Sequence, residues 1–140
     1  MDEEVQATAA RLVRRLKEGN HTITVAESCT GGLLASAFTD IAGASQWFRQ
    51  SWVTYSNDAK IKELGVTEEA LNRRGAVSAE VAIQMAQGAR VKADASIALS
   101  ITGIAGPSND GSNKKIGTVY VGIASENWAN SDITEIGGNR

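Results

Sequence analysis

The first apolar residues of the chain recur every three or four positions. They are Val5, Ala9, Leu12, Val13 and Leu16. This spacing is typical of an amphipathic helix, which we expect to end at Gly19. Residues 21–26 are rich in β-branched side chains and predict a short strand, and residues 33–41 predict a second, apolar helix. The chain therefore opens with a helix, a strand and a helix.

The middle of the chain predicts one more strand and three helices. Residues 47–55 combine aromatic and β-branched side chains, as strands do. Asn57 or Asp58 is placed to cap a short helix that follows this strand. We expect Thr67 to cap the next helix and Ser78 to begin the third, which has apolar residues along one face.

The last part of the chain predicts three strands. Residues 96–102 are almost continuously apolar, which indicates a strand buried on both faces, and residues 103–113 predict a long loop. Residues 116–125 predict a strand and residues 133–136 a weaker one. Alternating strands and helices favour a three-layer α/β/α sandwich in one domain spanning residues 1–140. Because the last two strands have no helix between them, we expect a mixed, largely parallel sheet.

Composition excludes several classes of function. The 140 residues include 14 basic and 16 acidic side chains, and a net charge of −2 argues against bulk electrostatic binding of nucleic acid. A single cysteine and a single histidine exclude a disulfide framework and a multi-cysteine zinc site. No apolar run reaches the length of a membrane span, and the first residues are acidic. We therefore expect a cytoplasmic protein that binds no nucleic acid, membrane, metal or organic cofactor.

Two predicted loops follow strands at the sheet edge where α/β proteins bind ligands. They are residues 27–32 and 103–113. In the first loop Ser28 stands on a strand-to-helix turn that contains two glycines. Amide N–H groups at a helix start can hold a phosphate or the oxyanion of an acyl-transfer intermediate, which makes Ser28 a candidate nucleophile. The alternative is that Ser28 or Thr30 is only the cap of the helix.

A nucleophilic Ser28 requires a group that accepts its proton. His21 lies at the opposite end of the same predicted strand, up to roughly 23 Å away, which excludes a Ser-His-Asp triad. A Ser–Lys or Ser–Tyr–Lys arrangement remains, since Tyr55 and Lys60 lie where both can turn toward one cleft. The alternative for Lys60 is a solvated surface charge. Cys29 is either a rival nucleophile or a small buried residue behind the turn.

Five segments resemble the CinA carboxy-terminal domain family, the nicotinamide mononucleotide deamidases. They are residues 24–32 (TVAESCTGG), 53–60 (VTYSNDAK), 75–78 (GAVS), 100–107 (SITGIAGP) and 117–119 (GTV), in the order of the family. The resemblance implies an α/β/α sandwich. It also implies an amidase that hydrolyses the carboxamide of nicotinamide mononucleotide to nicotinate mononucleotide and ammonia, without a metal or an organic cofactor.

The resemblance also implies roles for individual residues. Ser28 is the implied nucleophile, activated by Lys60 and Tyr55. The implied residues that bind the nucleotide substrate are Glu27, Thr30, Gly31, Gly32, Thr102, Gly103, Gly106 and Arg140. Asn139 stands where the family has an aspartate, and the chain ends at Arg140 where family members continue into a final helix. We therefore expect a partly bare sheet face and association of the chain into a homo-oligomer.

Three functions remain open at this point. The first is a serine amidase that acts on nicotinamide mononucleotide. The second is a catalytically silent nucleotide-binding or interaction module of the same fold, which Asn139 and the absent final helix favour. The third is an amidase for another small carboxamide. Release of ammonia distinguishes the first two hypotheses, and a panel of substrates tests the third.

Overall fold

A computed structural model of the chain describes residues 3–104 and 114–135. The helices are α1 (Glu3–Glu18), α2 (Leu33–Thr39), α3 (Asn57–Leu64), α4 (Glu68–Arg74) and α5 (Ala79–Ala93). The strands are β1 (Ile23–Glu27), β2 (Phe48–Val53), β3 (Ile97–Gly103), β4 (Thr118–Ala124) and β5 (Ala129–Glu135). A short 3₁₀ segment, Ala44–Gln46, precedes β2.

The five strands form one mixed sheet in the order β2-β1-β3-β4-β5. β1 pairs in parallel with both β2 and β3, whereas β4 is antiparallel to β3 and to β5. The parallel pairs are those whose strands are separated by helices in the chain, as a crossover connection requires. The predicted mixed sheet is therefore confirmed, and its antiparallel part is the segment in which strand follows strand.

Helices cover the sheet on both sides, which confirms the three-layer α/β/α architecture. On one side α1 and α2 pack over an apolar cluster that includes Val13, Leu16, Val25, Phe38 and Trp47. On the other side α5 lies across β1, β3 and β4, with α3 and α4 beside it. No helix within residues 3–104 and 114–135 is long and apolar enough to cross a lipid bilayer.

Successive residues of β1 point to opposite layers, as in any strand. Ile23 and Val25 belong to the cluster under α1 and α2, whereas Ala26 belongs to the cluster under α5. The alternation continues to the end of the strand. Glu27 therefore faces α2, and Ser28 faces the layer that contains α3 and α5.

Two helix caps confirm their predictions and one differs. The hydroxyls of Thr67 and Ser78 accept hydrogen bonds from Ala70 N and Val81 N at the starts of α4 and α5. The cap of α3 is Ser56, one residue before Asn57 and two before Asp58, the two expected caps. Ser56 is extended and its hydroxyl accepts from Ala59 N, which places Asn57 inside the first turn.

The last strand is longer than the sequence predicts. β5 begins at Ala129, four residues before the expected start at residue 133, because a tight turn over residues 125–128 returns the chain directly onto β4. Asn130 and Asp132 lie on this strand, and its side chains are mostly exposed. An edge strand with polar side chains lacks the apolar alternation on which the prediction relied.

α5 approaches α3 closely at Gly88. A Cβ atom on Gly88 would lie 1.9 Å from the backbone oxygen of Leu64. That oxygen cannot rotate away as the end of a side chain can, so the clash requires the two helices to separate. Because α3 carries Lys60, the same contact also holds a candidate site residue in place.

We expect Gly88→Ala to lower the free energy of unfolding by about 1–3 kcal/mol, the usual effect of overpacking. Alanine is the better helix former by about 1 kcal/mol, so a loss of stability would come from the clash with Leu64. Urea denaturation measures the change. The control is Gln87→Ala at the exposed neighbouring position, which should change stability by less than about 0.5 kcal/mol. A Gly88→Ala protein as stable as the parent would contradict the close approach.

Candidate active site

Ser28 follows β1 directly, at the carboxyl end of the parallel strands. Its backbone N–H donates to Ile101 O of β3 at 3.0 Å, and its backbone oxygen accepts from Gly31 N at 3.2 Å. The residue is only 7% exposed. The first bond ties the serine to the centre of the sheet and the second closes a tight turn. Ser28 therefore lies where α/β sheets bind ligands, as the sequence predicts.

Lys60 reaches Ser28 from α3 and is buried rather than solvated. Its Nζ donates to Ser28 Oγ at 3.0 Å, to Thr54 O at 2.8 Å and to Tyr55 O at 3.4 Å. Lys60 is 1% exposed and shares the inner face of α3 with Leu64, four residues later. The three oxygens compensate the amine for lost water and hold it against the serine hydroxyl.

The environment of the amine makes its neutral form accessible. Burial lowers the pKa of Lys60 from 10.5 to about 8, while nearby Cys29 acts in the opposite direction. Desolvation disfavours the ammonium because the protein interior solvates a charge less well than water. A neutral amine can accept a proton from a hydroxyl at hydrogen-bond distance, which is the property of a general base. Ser28 and Lys60 together therefore have the geometry of a nucleophile and its base.

The carboxylate of Glu27, which we expect to bind substrate, is buried and accepts hydrogen bonds from the protein itself. Its Oε1 accepts from Thr30 Oγ1 at 2.6 Å, Leu34 N at 2.9 Å and Gly32 N at 3.2 Å, and its Oε2 accepts from Ala35 N at 2.9 Å. The residue is 0% exposed. Both carboxylate oxygens and the Thr30 hydroxyl are thus used inside the protein. The expectation that Glu27 and Thr30 contact the substrate stays a prediction.

The backbone amides at the start of α2 already bind an anion, the carboxylate of Glu27. Gly32 N donates to Glu27, and Gly31 N donates to the oxygen of Ser28. Within the described part of the chain, Thr30 N has no acceptor. This amide belongs to the second residue after Ser28. In turns that contain serine, the N–H group at that position lies beside the serine side chain. Thr30 N is consequently an amide of this turn that a substrate oxygen can use.

Gly31 and Gly32 serve the turn by their conformation. Their φ angles are 61° and 113°, in the left-handed region that glycine adopts without steric cost. This pair turns the chain from β1 into α2 within a few residues. The role found for both glycines is therefore the shape of the turn that carries Ser28.

Thr102 and Gly103 lie at the end of β3, beside the turn. Thr102 Oγ1 donates to Ala76 O at 2.9 Å and the residue is buried, so its hydroxyl joins β3 to the segment before α5. A Cβ atom on Gly103 would lie 3.0 Å from Thr118 O and 3.1 Å from Cys29 Sγ. The missing side chain of Gly103 therefore leaves room for Cys29, which is half-buried behind the turn.

Tyr55 contributes a backbone oxygen to the site, and its side chain lies outward. The residue is 62% exposed, and the hydrogen bond that joins it to Lys60 is accepted by its carbonyl. The structure thus brings together Ser28, Lys60 and the backbone of Tyr55. Gly106 and Arg140, the other expected substrate contacts, lie outside the described residues.

Sequence reasoning missed Thr54. Its carbonyl accepts the shortest hydrogen bond of the Lys60 amine, and its N–H donates to Glu27 O at 2.8 Å. Its buried hydroxyl has no hydrogen-bond partner among residues 3–104 and 114–135. The contacts that matter are made by the main chain, which every residue type possesses, so no sequence pattern identifies them.

Known proteins resemble this chain in sequence and in fold. The family model for the CinA C-terminal domain matches residues 5–140. A relative from Escherichia coli K12, named nicotinamide-nucleotide amidohydrolase PncC, is 47% identical over 123 residues, which are 88% of this chain and 74% of the relative. A CinA-like protein from Fervidobacterium nodosum is 46% identical over 125 residues, 89% of this chain and 31% of that protein. Against three longer relatives of this type, the chain spans 31%, 31% and 30% of their length.

Solved structures agree with these matches. The crystal structure of a CinA superfamily protein from Escherichia coli has a TM-score of 0.94 and 32% identity, covering 99% of this chain and 82% of that one. The crystal structure of the competence/damage inducible protein CihA from Agrobacterium tumefaciens has a TM-score of 0.88 and 39% identity, covering 96% and 81%. The fold of this chain is thus one that experimental structures of related sequences also adopt.

The lowered pKa of Lys60 predicts how the reactivity of Ser28 depends on pH. Below about pH 8 the amine is protonated and cannot accept the serine proton, and above it the amine is neutral. We expect the rate at which a fluorophosphonate modifies Ser28 to rise through a midpoint near pH 8 and then level off. Mass spectrometry of the modified peptide measures this rate.

The controls are two lysine variants. Lys60→Met should remove the rise, whereas Lys62→Met, at an exposed position of the same helix, should keep it. The amine does not activate the serine if the modification rate of the parent protein is independent of pH. The same conclusion follows if Lys60→Met is modified as fast as the parent protein.

Proposed function

We propose an activity for this chain, which belongs to the CinA C-terminal domain family: hydrolysis of the carboxamide of a nicotinamide nucleotide. The observation that carries the proposal is the 3.0 Å contact between Lys60 Nζ and Ser28 Oγ inside the protein. The 47% identical relative named nicotinamide-nucleotide amidohydrolase supports the substrate class. We take nicotinamide mononucleotide as the substrate, with nicotinate mononucleotide and ammonia as products.

The first half of the proposed reaction forms an acyl-enzyme. Neutral Lys60 accepts the hydroxyl proton of Ser28, and Oγ attacks the carboxamide carbon, whose oxygen becomes an oxyanion. Lys60 then returns the proton to the amide nitrogen, the C–N bond breaks and ammonia leaves. Atoms and charge balance with the serine and the lysine alone, because the amine only stores one proton between the two steps.

The second half releases the product. Water takes the place of ammonia, Lys60 accepts one of its protons, and the hydroxide attacks the ester carbon. The ester bond to Ser28 breaks, Lys60 returns its proton to Oγ, and the nicotinate nucleotide leaves as a carboxylic acid. In water this acid gives its proton to the released ammonia and becomes a carboxylate. The enzyme is thus restored for the next cycle.

Stabilisation of the oxyanion is assigned to the turn that carries the nucleophile. Thr30 N is an amide of this turn for which residues 3–104 and 114–135 supply no acceptor, and it lies two residues after the serine. One hydrogen-bond donor aimed at a developing oxyanion contributes about 3–4 kcal/mol in other acyl-transfer enzymes. The amides of Gly31 and Gly32 are already bonded to Ser28 and Glu27, so they are not part of this proposal.

The remaining site residues stay predictions. On the basis of the sequence resemblance, Tyr55 is proposed to contribute to proton transfer. Its exposed ring is available to contact a bound substrate. Gly106 and Arg140 are proposed to contact the nucleotide. Association of the chain into a homo-oligomer is likewise a prediction. The catalytically silent module is the alternative outcome, in which the protein binds the nucleotide and releases no ammonia.

Variants of the two central residues test the proposal. Ser28→Ala should lower kcat for ammonia release by at least about 10³-fold, because the covalent step is lost, while calorimetry should still detect nucleotide binding. Lys60→Met and Lys60→Arg should each lower kcat by about 10²–10⁴-fold, since neither side chain can accept the proton near neutral pH.

Lys62→Met is the matched control and should retain the parent kcat. A Ser28→Ala protein that releases ammonia at a comparable rate would contradict the covalent mechanism. Binding of nicotinamide mononucleotide by the folded parent protein without any ammonia would favour the silent module.

A further inference from the structure

Glu27 is a buried charge next to the candidate nucleophile, and its carboxylate accepts four hydrogen bonds. Four donors reach its two oxygens, from the Thr30 hydroxyl and from the amides of Gly32, Leu34 and Ala35. A carboxylate accepts hydrogen bonds and donates none, so this set of donors matches its chemistry. The contacts run from Thr30, two residues after Ser28, to the first turn of α2. One side chain of β1 thus holds the segment in which Ser28 lies.

The backbone of Glu27 is bonded to the segment that holds Lys60. Its carbonyl accepts from Thr54 N at 2.8 Å, and the carbonyl of the same Thr54 accepts from Lys60 Nζ at 2.8 Å. Glu27 is therefore joined to the nucleophile through the turn and to the base through Thr54. A shift of Glu27 changes the distance between Ser28 Oγ and Lys60 Nζ, which is 3.0 Å.

We propose that Glu27 is a positioning residue, whose buried carboxylate sets the placement of Ser28 against Lys60 without touching the substrate. The proposal rests on the proposed function, because it assumes that Ser28 and Lys60 are the reacting pair. It departs from the expectation that Glu27 binds the substrate. The physical reason is that the residue is 0% exposed and each of its carboxylate oxygens already accepts from donors of the protein itself.

The cap position of α2 offers no side chain that could replace the carboxylate. The residue before α2 is Gly32, which has no side chain and makes no capping hydrogen bond. A glutamine at position 27 keeps one carbonyl oxygen but puts an NH₂ group in place of the other oxygen. That NH₂ group would face Ala35 N if it took the place of Oε2, or Gly32 N and Leu34 N if it took the place of Oε1. In either orientation two hydrogen-bond donors would face each other, which is unfavourable.

The experiment compares Glu27→Gln with Thr67→Ala as a matched control. Thr67 caps α4, a helix as short as α2, so its variant loses a helix cap away from Ser28. The readouts are the rate of Ser28 modification by the fluorophosphonate, kcat and KM for ammonia release from nicotinamide mononucleotide, and the melting temperature. Modification breaks the P–F bond, forms a P–O bond to Ser28 and releases fluoride, so it reports on the nucleophile whatever the natural substrate is.

We expect Glu27→Gln to slow the modification of Ser28 by at least about tenfold, the order of effect that follows from a small misplacement of reacting groups. We expect kcat to fall by a similar factor and KM to change less than about threefold, because no substrate contact is lost. Thr67→Ala should lower the melting temperature and leave all the rates of the folded protein unchanged.

A milder variant covers the case in which Glu27→Gln does not fold. Thr30→Val has nearly the same shape and removes one of the four hydrogen bonds, the 2.6 Å contact from the Thr30 hydroxyl. We expect it to slow the modification of Ser28 by about two- to fivefold, in proportion to the partial loss of restraint. A Thr30→Val protein that reacts at the parent rate would overturn the proposal.

Three results with Glu27→Gln would overturn the positioning role. They are a parent rate of modification in the folded variant, an equal slowing in Thr67→Ala, and a raised KM with unchanged kcat, which would mark a substrate contact. Failure of the proposed function gives a different result. If Ser28 of the parent protein is modified but no ammonia is released, the proposed substrate is wrong. The modification rates of the variants then still test the role of Glu27.

Discussion

The hydrogen bond between the amine of Lys60 and the hydroxyl of Ser28 is the interaction on which the proposed chemistry of this chain depends. An amine in the protein interior loses the water that stabilises its positive charge. Here the oxygens of Ser28, Thr54 and Tyr55 replace that water, and the loss still lowers the pKa of Lys60 to about 8. The same burial that destabilises the charged lysine in the fold makes it suitable as the base of Ser28 in the proposed mechanism.

The sheet explains how the two residues meet without being neighbours in the chain. Parallel pairing of β1 with β2 and β3 brings the carboxyl ends of three strands to one edge, where the turn after β1 and the start of α3 are adjacent. The alternation of side chains then separates two tasks. Glu27 faces α2 and holds the turn, while Ser28 faces α3 and meets the amine.

Much of the fold follows from local patterns, and the failures have physical causes. The spacing of apolar residues in α1 and the caps at Thr67 and Ser78 depend on neighbours in the chain, which a sequence shows directly. The predicted start of β5 was wrong by four residues. An exposed edge strand forms through its backbone hydrogen bonds and does not require an apolar sequence pattern. In the site, the strand-end position of Ser28 was predictable. The burial of Lys60 was not, since a lysine in the first turn of a helix has the same local sequence whether it faces water or a serine.

The state of the Lys60 amine can be observed without substrate. Nuclear magnetic resonance of the protein with ¹³C-labelled lysine gives the pKa of each amine from the shift of its Cε carbon with pH. The account predicts a Lys60 pKa of about 8, whereas an amine in water titrates near 10.5. A Lys60 pKa at the ordinary value would contradict the account, because the amine would then remain charged beside Ser28 and could not accept its proton.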